Sequence, residues 1–283
     1  MNNILVPYDF SDIAKHALDF AAQIARKATS DAVTLINVIE QPTPSDFKTM
    51  GVSNIDPMDN LWIKKMIETM EGKMKAIMAD SSFKDIKLNY KIVLGNPFKE
   101  LAQEIKTSGT DLVVMGTSGS SGAEEFLVGS NAERMVRFSS APVITVSKSS
   151  SLEAVNDIVF ASNFHEVPAD FIAHVKALQG LFGAKLRLVK INTPASFTTT
   201  RHDKKQMEDF ITKNEIQNCT YETFNDSSEE EGVLAYAEDI NADMIALGTK
   251  QRRGLGHFLA GSIAEDVVNH AKVPVWTFGL EHA

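Results

Sequence analysis

A stretch rich in glycine and serine in the first half of the chain has the spacing of a phosphate-binding loop. Gly116 and Gly119 are followed, after nine further residues, by Gly129 and Ser130. A glycine lets the backbone turn sharply and approach a ligand without an intervening Cβ. Gly129 and Ser130 stand where a helical pattern begins, and the free N–H groups and positive dipole end of a helix start favour phosphate. The Ser130 hydroxyl adds a further donor.

Asp9 is a second feature whose position suggests chemistry, because it directly follows the apolar run at residues 4–8. A carboxylate there can accept hydrogen bonds from ribose hydroxyls or from a base amine. Such charge-assisted bonds contribute about 1.5–3 kcal/mol each. The alternative is that Asp9 only caps a helix beginning near Ser11, since aspartate is a favoured N-cap residue.

The elements that must position these residues come in two copies. Residues 4–10 are echoed by residues 158–164, and residues 111–117 are echoed by residues 243–249. Two dipeptides recur at the spacing of the second pair: Gly129-Ser130 as Gly261-Ser262, and Pro142-Val143 as Pro274-Val275. The second copy is shorter in its middle, so residues 40–59, rich in Pro, Ser and Asp, are the extra loop of the first copy.

Each copy alternates short apolar runs with amphipathic stretches, in the order β-α-β-α-β-α-β-α-β. Short apolar strands separated by helices imply a parallel sheet with right-handed crossovers and helices on both faces. We therefore predict an α/β fold of two tandem, doubly wound, five-stranded parallel-sheet (Rossmann-like) domains. Their predicted bounds are residues 1–148 and 152–283, with a serine-rich linker between them. Ligands in such a sheet bind beyond the carboxyl ends of the first and fourth strands, where Asp9 and Gly116 lie.

The spacing G-x2-G-x9-G-S resembles the nucleotide signature of the ATP-binding branch of the universal stress proteins. It is carried here by Gly116, Gly119, Gly129 and Ser130. The opening Ile-Leu-Val-Pro-Tyr-Asp at residues 4–9 and the Ala-Pro-Val at residues 141–143 also look like that family. With its two copies, nearly the whole chain is similar to a tandem universal stress protein.

The resemblance implies a stress-response or regulatory protein whose ligand is ATP, with or without Mg²⁺. Asp9 would contact the adenosine, and Val38 would meet the adenine through its backbone. The phosphates would be held by residues after the fourth strand, namely Gly116, Gly119, Gly129, Ser130 and Asn131. Pro7 and Met115, at the strand ends, complete the predicted nucleotide site. The resemblance also implies an intrachain pseudo-dimer, and leaves open a homodimer of chains and an unknown protein partner.

The second copy departs from the signature at two positions. Asn163 replaces Asp9 and loses the carboxylate charge, and Gln251 replaces Gly119. A side chain at that point enters the phosphate approach and disfavours positive φ. We therefore expect the second copy to bind ATP weakly or not at all. The basic residues of its loop leave two alternatives open, a different anionic ligand or a solvated basic loop: Lys250, Arg252 and Arg253.

Composition excludes several other classes of protein. The chain has 283 residues, 43% of them hydrophobic and 23% charged, with a formal net charge of −9. That acidic balance argues against general binding to nucleic acid or to an anionic membrane. Cys219 is the single cysteine, and the histidines lack metal-ligand spacing, so no metal site is predicted. Without a signal-peptide pattern or an apolar run of about 18 residues, we expect a cytoplasmic protein.

Three functions remain open from the sequence. The first is an ATP-binding regulatory protein whose N-terminal copy carries the nucleotide. The second is a slow ATPase, which would need a general base or metal carboxylates near the γ-phosphate. Asp9 is the obvious carboxylate, but it is expected at the adenosine end, so no catalytic residue is predicted. The third is a scaffold in which both sites are empty.

Overall fold

Strands and helices alternate along the described part of the chain. The structure, a computed structural model, describes residues 1–30, 32–40, 57–117, 129–147, 155–249 and 263–280. The strands are β1 Asn3–Pro7, β2 Ala32–Ile39, β3 Leu88–Leu94, β4 Leu112–Gly116, β5 Val143–Val146, β6 Asp157–Ala161, β7 Lys185–Asn192, β8 Cys219–Asn225, β9 Met244–Thr249 and β10 Val275–Gly279. The helices in these ranges are α1 Asp12–Ala28, α2 Pro57–Met78, α3 Pro97–Ser108, α4 Ser130–Phe138, α5 Ala169–Phe182, α6 Thr200–Lys213, α7 Glu229–Asp239 and α8 Ile263–His270. The predicted extra loop and the predicted linker fall largely outside the described residues.

All ten strands form one continuous sheet with the order β3-β2-β1-β4-β5-β10-β9-β6-β7-β8. Every pair within the first half (β1–β5) and within the second half (β6–β10) is parallel. The α/β, doubly wound fold predicted for each half is thereby confirmed. The two five-stranded sheets are joined by one antiparallel pair, β5 with β10, in which Val143 faces Thr277. Each half thus covers an edge strand that the other would leave exposed.

Both faces of the sheet are buried, as the near-continuous apolar strands predict. In β1, Ile4 and Val6 belong to the core on one face, and Leu5 belongs to the core on the other. The first of these cores also contains the buried residues of α1 and Met74 of α2, whereas the second contains those of α3 and α4. The second half repeats this division, with α5 and α6 in the first core and α7 and α8 in the second, so helices of each half pack on both faces of the sheet.

The helix boundaries follow from capping residues that are readable in the sequence. Ser11 is the N-cap of α1, and its Oγ accepts a hydrogen bond from the Ala14 N–H at 3.2 Å. Asn96 caps α3 in the same way at Lys99, with a proline at the first helical position. Gly109 ends α3 in the left-handed conformation that glycine adopts without strain.

Contacts on both faces hold the two halves together at the β5–β10 seam. On one face α1 packs on α5, with the Phe20 and Phe182 ring centroids 6.5 Å apart. On the other face, the Arg137 guanidinium of α4 lies 3.6 Å from the Glu265 carboxylate of α8. The seam therefore combines main-chain pairing, aromatic packing and an ion pair.

Helix α2 differs most from its counterpart α6. It has 22 residues against 14, and among its residues from 61 onward Met74 is the fully buried one. Leu61 and Trp62, near its start, are 66% and 60% exposed. In the described part of the chain, no helix combines the length and the apolar character needed to cross a bilayer.

Candidate functional site

The predicted crevice lies at one edge of the sheet, where β1, β2, β4 and β5 end side by side. The Tyr8 N–H donates to the Ile36 carbonyl of β2 at 2.9 Å, and the Thr117 N–H donates to the Val146 carbonyl of β5 at 3.1 Å. In the sheet β1 lies between β2 and β4. The chain first adds strands on the β2 side of β1 and then crosses to the β4 side, so the strand order reverses at β1. Such a reversal opens a crevice beyond the carboxyl ends of the strands.

Asp9 lies in a tight turn between β1 and α1. Its Oδ1 accepts hydrogen bonds from the Ser11 N–H at 3.0 Å and from the Ser11 hydroxyl at 2.6 Å. Phe10, between them, has a φ of +67°, an uncommon value for a bulky residue. The alternative that Asp9 itself caps the helix is wrong, because Ser11 is the N-cap and Asp9 holds Ser11 in place. The Asp9 side chain is exposed at this edge of the sheet.

The second half repeats this turn with an uncharged residue. Asn163 Oδ1 accepts a hydrogen bond from the His165 N–H at 3.0 Å, and Phe164 has a φ of +56°. An amide oxygen therefore suffices for the turn. The turn itself therefore does not require the negative charge of Asp9.

Residues at the end of β2 face this turn. Val38, the predicted adenine contact, is half-buried. Its neighbour Asn37 is 8% exposed, and the Asn37 side-chain amide donates to the Tyr8 carbonyl at 2.8 Å. Asn37 was missed at the sequence level, although a polar residue inside an apolar strand must find a partner. Pro7, paired with Ile36, is half-buried beside them.

Gly116 ends β4, where it packs closely against α1. A Cβ at this position would lie 2.3 Å from Cγ2 of Ile13 in α1. Its φ is not positive, so Gly116 itself does not adopt a left-handed conformation. Close packing of α1 on β4 requires the glycine, and Ile13 fills the space that a side chain would take. Met115 is buried in the core beneath the crevice.

The start of α4 closes the loop that follows β4. The Gly129 N–H donates to the Thr117 carbonyl at 2.6 Å, which brings the helix start onto the end of β4. Gly129 is the N-cap and offers no side chain to the amides of the first turn, where Ser130 is exposed and Asn131 half-buried. Side-chain oxygens supply that acceptor at four other helices: Ser11, Asn96, Thr199 and Ser228. Pro168 also lacks one, so a missing cap alone does not identify a ligand site. Gly119 lies outside the described residues.

The second half carries a buried ion pair near the carboxyl end of β7. Pro7 pairs with Ile36 in the first half as Ala161 pairs with Val189 in the second, so Lys190 occupies the position of Asn37. The Lys190 ammonium donates to Asp203 Oδ1 at 2.5 Å and to the Thr198 hydroxyl at 2.7 Å.

Asp203 in α6 is completely buried within this cluster. Burial favours the neutral acid, but hydrogen bonds from Lys190 and Thr198 and the charge of Lys190 outweigh it, so the pKa of Asp203 is lowered. Its second oxygen, Oδ2, has no hydrogen-bond partner among the described residues. The cluster was missed in the sequence, although a lysine in an apolar strand signals a buried partner.

The residues that distinguish the loop of the second half lie outside the described residues: Lys250, Gln251, Arg252, Arg253, Gly261 and Ser262. Gly248, the counterpart of Gly116, is described, and a Cβ there would lie 2.8 Å from Cδ2 of Leu280. Both halves thus have a glycine at this position, which packs against Ile13 in the first half and against Leu280 in the second. Among the described residues, no group of three or more His, Cys, Asp or Glu side chains could hold a metal ion.

Comparison with known proteins gives a consistent result. The model of the universal stress protein family matches residues 1–147 and 155–278. One universal stress protein of Methanocaldococcus jannaschii is 28% identical over 156 residues, which cover 52% of this chain and 96% of that protein. A second from the same organism is 27% identical over 148 residues, which cover 51% of this chain and 81% of that protein. The crystal structure of a universal stress protein from Archaeoglobus fulgidus covers 98% of both chains with a TM-score of 0.76 at 19% identity, which shows a shared fold.

Proposed function

Since the chain belongs to the universal stress protein family, we propose that its N-terminal half binds ATP at the carboxyl edge of β1 and β4. The observation that carries this proposal is the position of the α4 start directly beside the carboxyl end of β4. Its first-turn amides are not capped by a side chain, and the Gly129–Thr117 hydrogen bond holds them against the end of β4. Backbone N–H groups at a helix start suit a phosphate group.

In this proposal the nucleotide spans the crevice from β2 to α4. The exposed Asp9 carboxylate accepts hydrogen bonds from the ribose, and the backbone of Val38 meets the adenine. The phosphates are held after β4 by Gly116, Gly119, Gly129, Ser130 and Asn131, with Pro7 and Met115 forming the adjoining wall. Gly116 contributes through its backbone, because Ile13 occupies the space beside its Cα. Mg²⁺, when present, would balance the phosphate charge.

We further propose one nucleotide per chain, with residues 1–148 as the binding domain and residues 152–283 as its non-binding partner. Asn163 supplies no carboxylate in the second half. The buried Lys190–Asp203 ion pair lies near the carboxyl end of β7, at the position that Asn37 occupies in the first half. The second half therefore lacks both the carboxylate of Asp9 and the amide of Asn37.

Binding without appreciable turnover is the proposed activity, and a regulatory role in stress response is the proposed use. The Asp9 carboxylate already accepts two hydrogen bonds from Ser11 through Oδ1 and stands at the adenosine end of the site. A general base for hydrolysis must instead reach the water that attacks the γ-phosphate. Bound ATP would order the crevice and so change which protein partner is recognised.

Native mass spectrometry of the full chain with ATP tests this proposal by counting nucleotides per chain. One ATP per chain is expected, and Gly119→Gln, which copies the second half, should weaken affinity by about 30- to 150-fold, or about 2–3 kcal/mol. The matched control is Gly180→Gln, because Gly180 is exposed in α5 and a Cβ there meets nothing within 4 Å. Two nucleotides, none, or unchanged affinity in Gly119→Gln would contradict the proposal. Phosphate release at saturating ATP distinguishes a slow ATPase.

A further inference from the structure

We infer that Asn37 is the positioning residue that gives the proposed site its selectivity for the adenosine part of the nucleotide. The inference rests on the proposed function and extends it to a residue outside the predicted site. Asn37 is almost fully buried, and its side-chain amide donates to the Tyr8 carbonyl at 2.8 Å. Because a buried amide needs a hydrogen-bond partner, this contact fixes the Asn37 side chain and also restrains the Tyr8 carbonyl.

This hydrogen bond completes a clamp on the main chain of Tyr8. The Tyr8 N–H already donates to the Ile36 carbonyl at 2.9 Å, so both polar groups of the Tyr8 backbone are tied to β2. Asp9 is the next residue after Tyr8, and Val38 is the next residue after Asn37. The clamp therefore fixes the proposed ribose contact relative to the proposed adenine contact, a preorganisation that raises affinity by reducing the entropy lost on binding.

The second half retains only one of the two hydrogen bonds in this form. The Ser162 N–H donates to the Val189 carbonyl at 3.2 Å, as the Tyr8 N–H does to Ile36. At the position of Asn37, however, the Lys190 ammonium donates to Asp203 and Thr198 of its own half. The same backbone framework is thus present in both halves, and the side-chain clamp distinguishes them.

The clamp acts on the adenosine end alone, so its loss should have a selective signature. The phosphate-binding amides at the start of α4 are held by the Gly129–Thr117 hydrogen bond, which does not involve Asn37. Removing the Asn37 donor should weaken ATP binding while leaving inorganic tripolyphosphate binding unchanged. A general loss of folding would weaken the binding of both ATP and tripolyphosphate.

The experiment compares ATP and tripolyphosphate affinities by calorimetry in wild type, Asn37→Asp and Asn37→Ala. The aspartate is nearly isosteric but places an acceptor against the Tyr8 carbonyl. The matched control is Asn89→Asp on β3, where the same charge change falls on an exposed side chain. We expect about a ten- to hundredfold weaker ATP affinity in both Asn37 variants, and about equal tripolyphosphate affinity in all four proteins.

Two results would separate failure of this inference from failure of the proposed function. Wild type that binds no ATP would refute the proposed function. Wild type that binds ATP, together with a folded Asn37 variant that keeps the wild-type ratio of ATP to tripolyphosphate affinity, would refute the role of Asn37. A measurement on the wild type removes dependence on variant folding: the Asn37 side-chain amide resonance should shift with ATP and stay unchanged with tripolyphosphate. A resonance that ignores ATP would overturn the inference.

Discussion

Replacing Lys190 with methionine is expected to destabilise the chain by about 3–5 kcal/mol, because it leaves the Asp203 carboxylate buried without its counter-charge. The magnitude follows from the burial of both partners. The Asp203 side chain is 0% exposed and that of Lys190 is 10% exposed, with 2.5 Å between Nζ and Oδ1. Solvent therefore screens the pair weakly, and water cannot replace the lost ammonium.

Removing both charges should restore the stability that removing one loses. Asp203 Oδ2 has no partner among the described residues, so the pair already carries part of its desolvation cost uncompensated. The double variant Lys190→Met with Asp203→Val should therefore lie within about 1 kcal/mol of wild type, or above it. Asp203→Val alone should be destabilised less than Lys190→Met, since the lysine stem can move its ammonium toward water.

The stability of the Lys190→Met variant should change with pH in a direction that the burial and pairing of Asp203 determine. In wild type the pKa of Asp203 is lowered, so its stabilising contribution is present above about pH 4 and is lost as pH falls through the lowered value. In Lys190→Met the lost counter-charge leaves burial to raise that pKa. The folded variant then takes up a proton more readily than the unfolded chain, and its stability deficit shrinks as the solution is acidified.

Urea unfolding of the four proteins in this double-mutant cycle, at pH 7 and again near pH 4, measures both effects. A coupling energy of more than about 2 kcal/mol at pH 7, decreasing toward pH 4, is expected. Additive losses at pH 7, or a deficit in Lys190→Met that grows with acid, would refute the description of this pair as buried and mutually dependent.

Two further changes test the framework of the predicted site. Gly116→Ala should destabilise the fold by about 1–3 kcal/mol, because its Cβ would lie 2.3 Å from Ile13 Cγ2. Adding Ile13→Ala to this variant should recover part of the loss. The control Gly180→Ala, at an exposed position of a helix, should instead raise the thermal midpoint. Ser11→Ala should cost about 0.5–2 kcal/mol by removing the acceptor for the Ala14 N–H; an unchanged midpoint would mean that the cap contributes nothing to the stability of α1.

The sequence predicts the elements of this chain well because their causes are local. The N-cap at Ser11, the proline at the start of α3 and the apolar run of β1 are each readable within a few neighbouring residues. The internal repeat then supplies the second half without further information. The same local rules place Asp9 and Gly129 at strand and helix ends, where a crevice forms.

Other features depend on contacts between distant residues and stay hidden in the sequence. Gly116 reads as a flexible turn residue until Ile13, in another element, occupies the space beside it. Lys190 and Asp203 come from a strand and the helix that follows it, and their pairing depends on how α6 packs on the sheet. The antiparallel β5–β10 pair joins strands that belong to different copies, so no periodicity within one copy reveals it.

The two halves satisfy the buried polar groups at the carboxyl edge of the sheet in different ways. In the first half the buried amide of Asn37 binds the main chain of the preceding turn and leaves the Asp9 carboxylate exposed. In the second half Lys190, at the same position, pairs instead with the buried Asp203 of its own half. The second half nevertheless covers β5, which would otherwise be an exposed edge strand next to the β4 end of the proposed site. A half that is proposed not to bind nucleotide can thus still stabilise the half that is proposed to bind it.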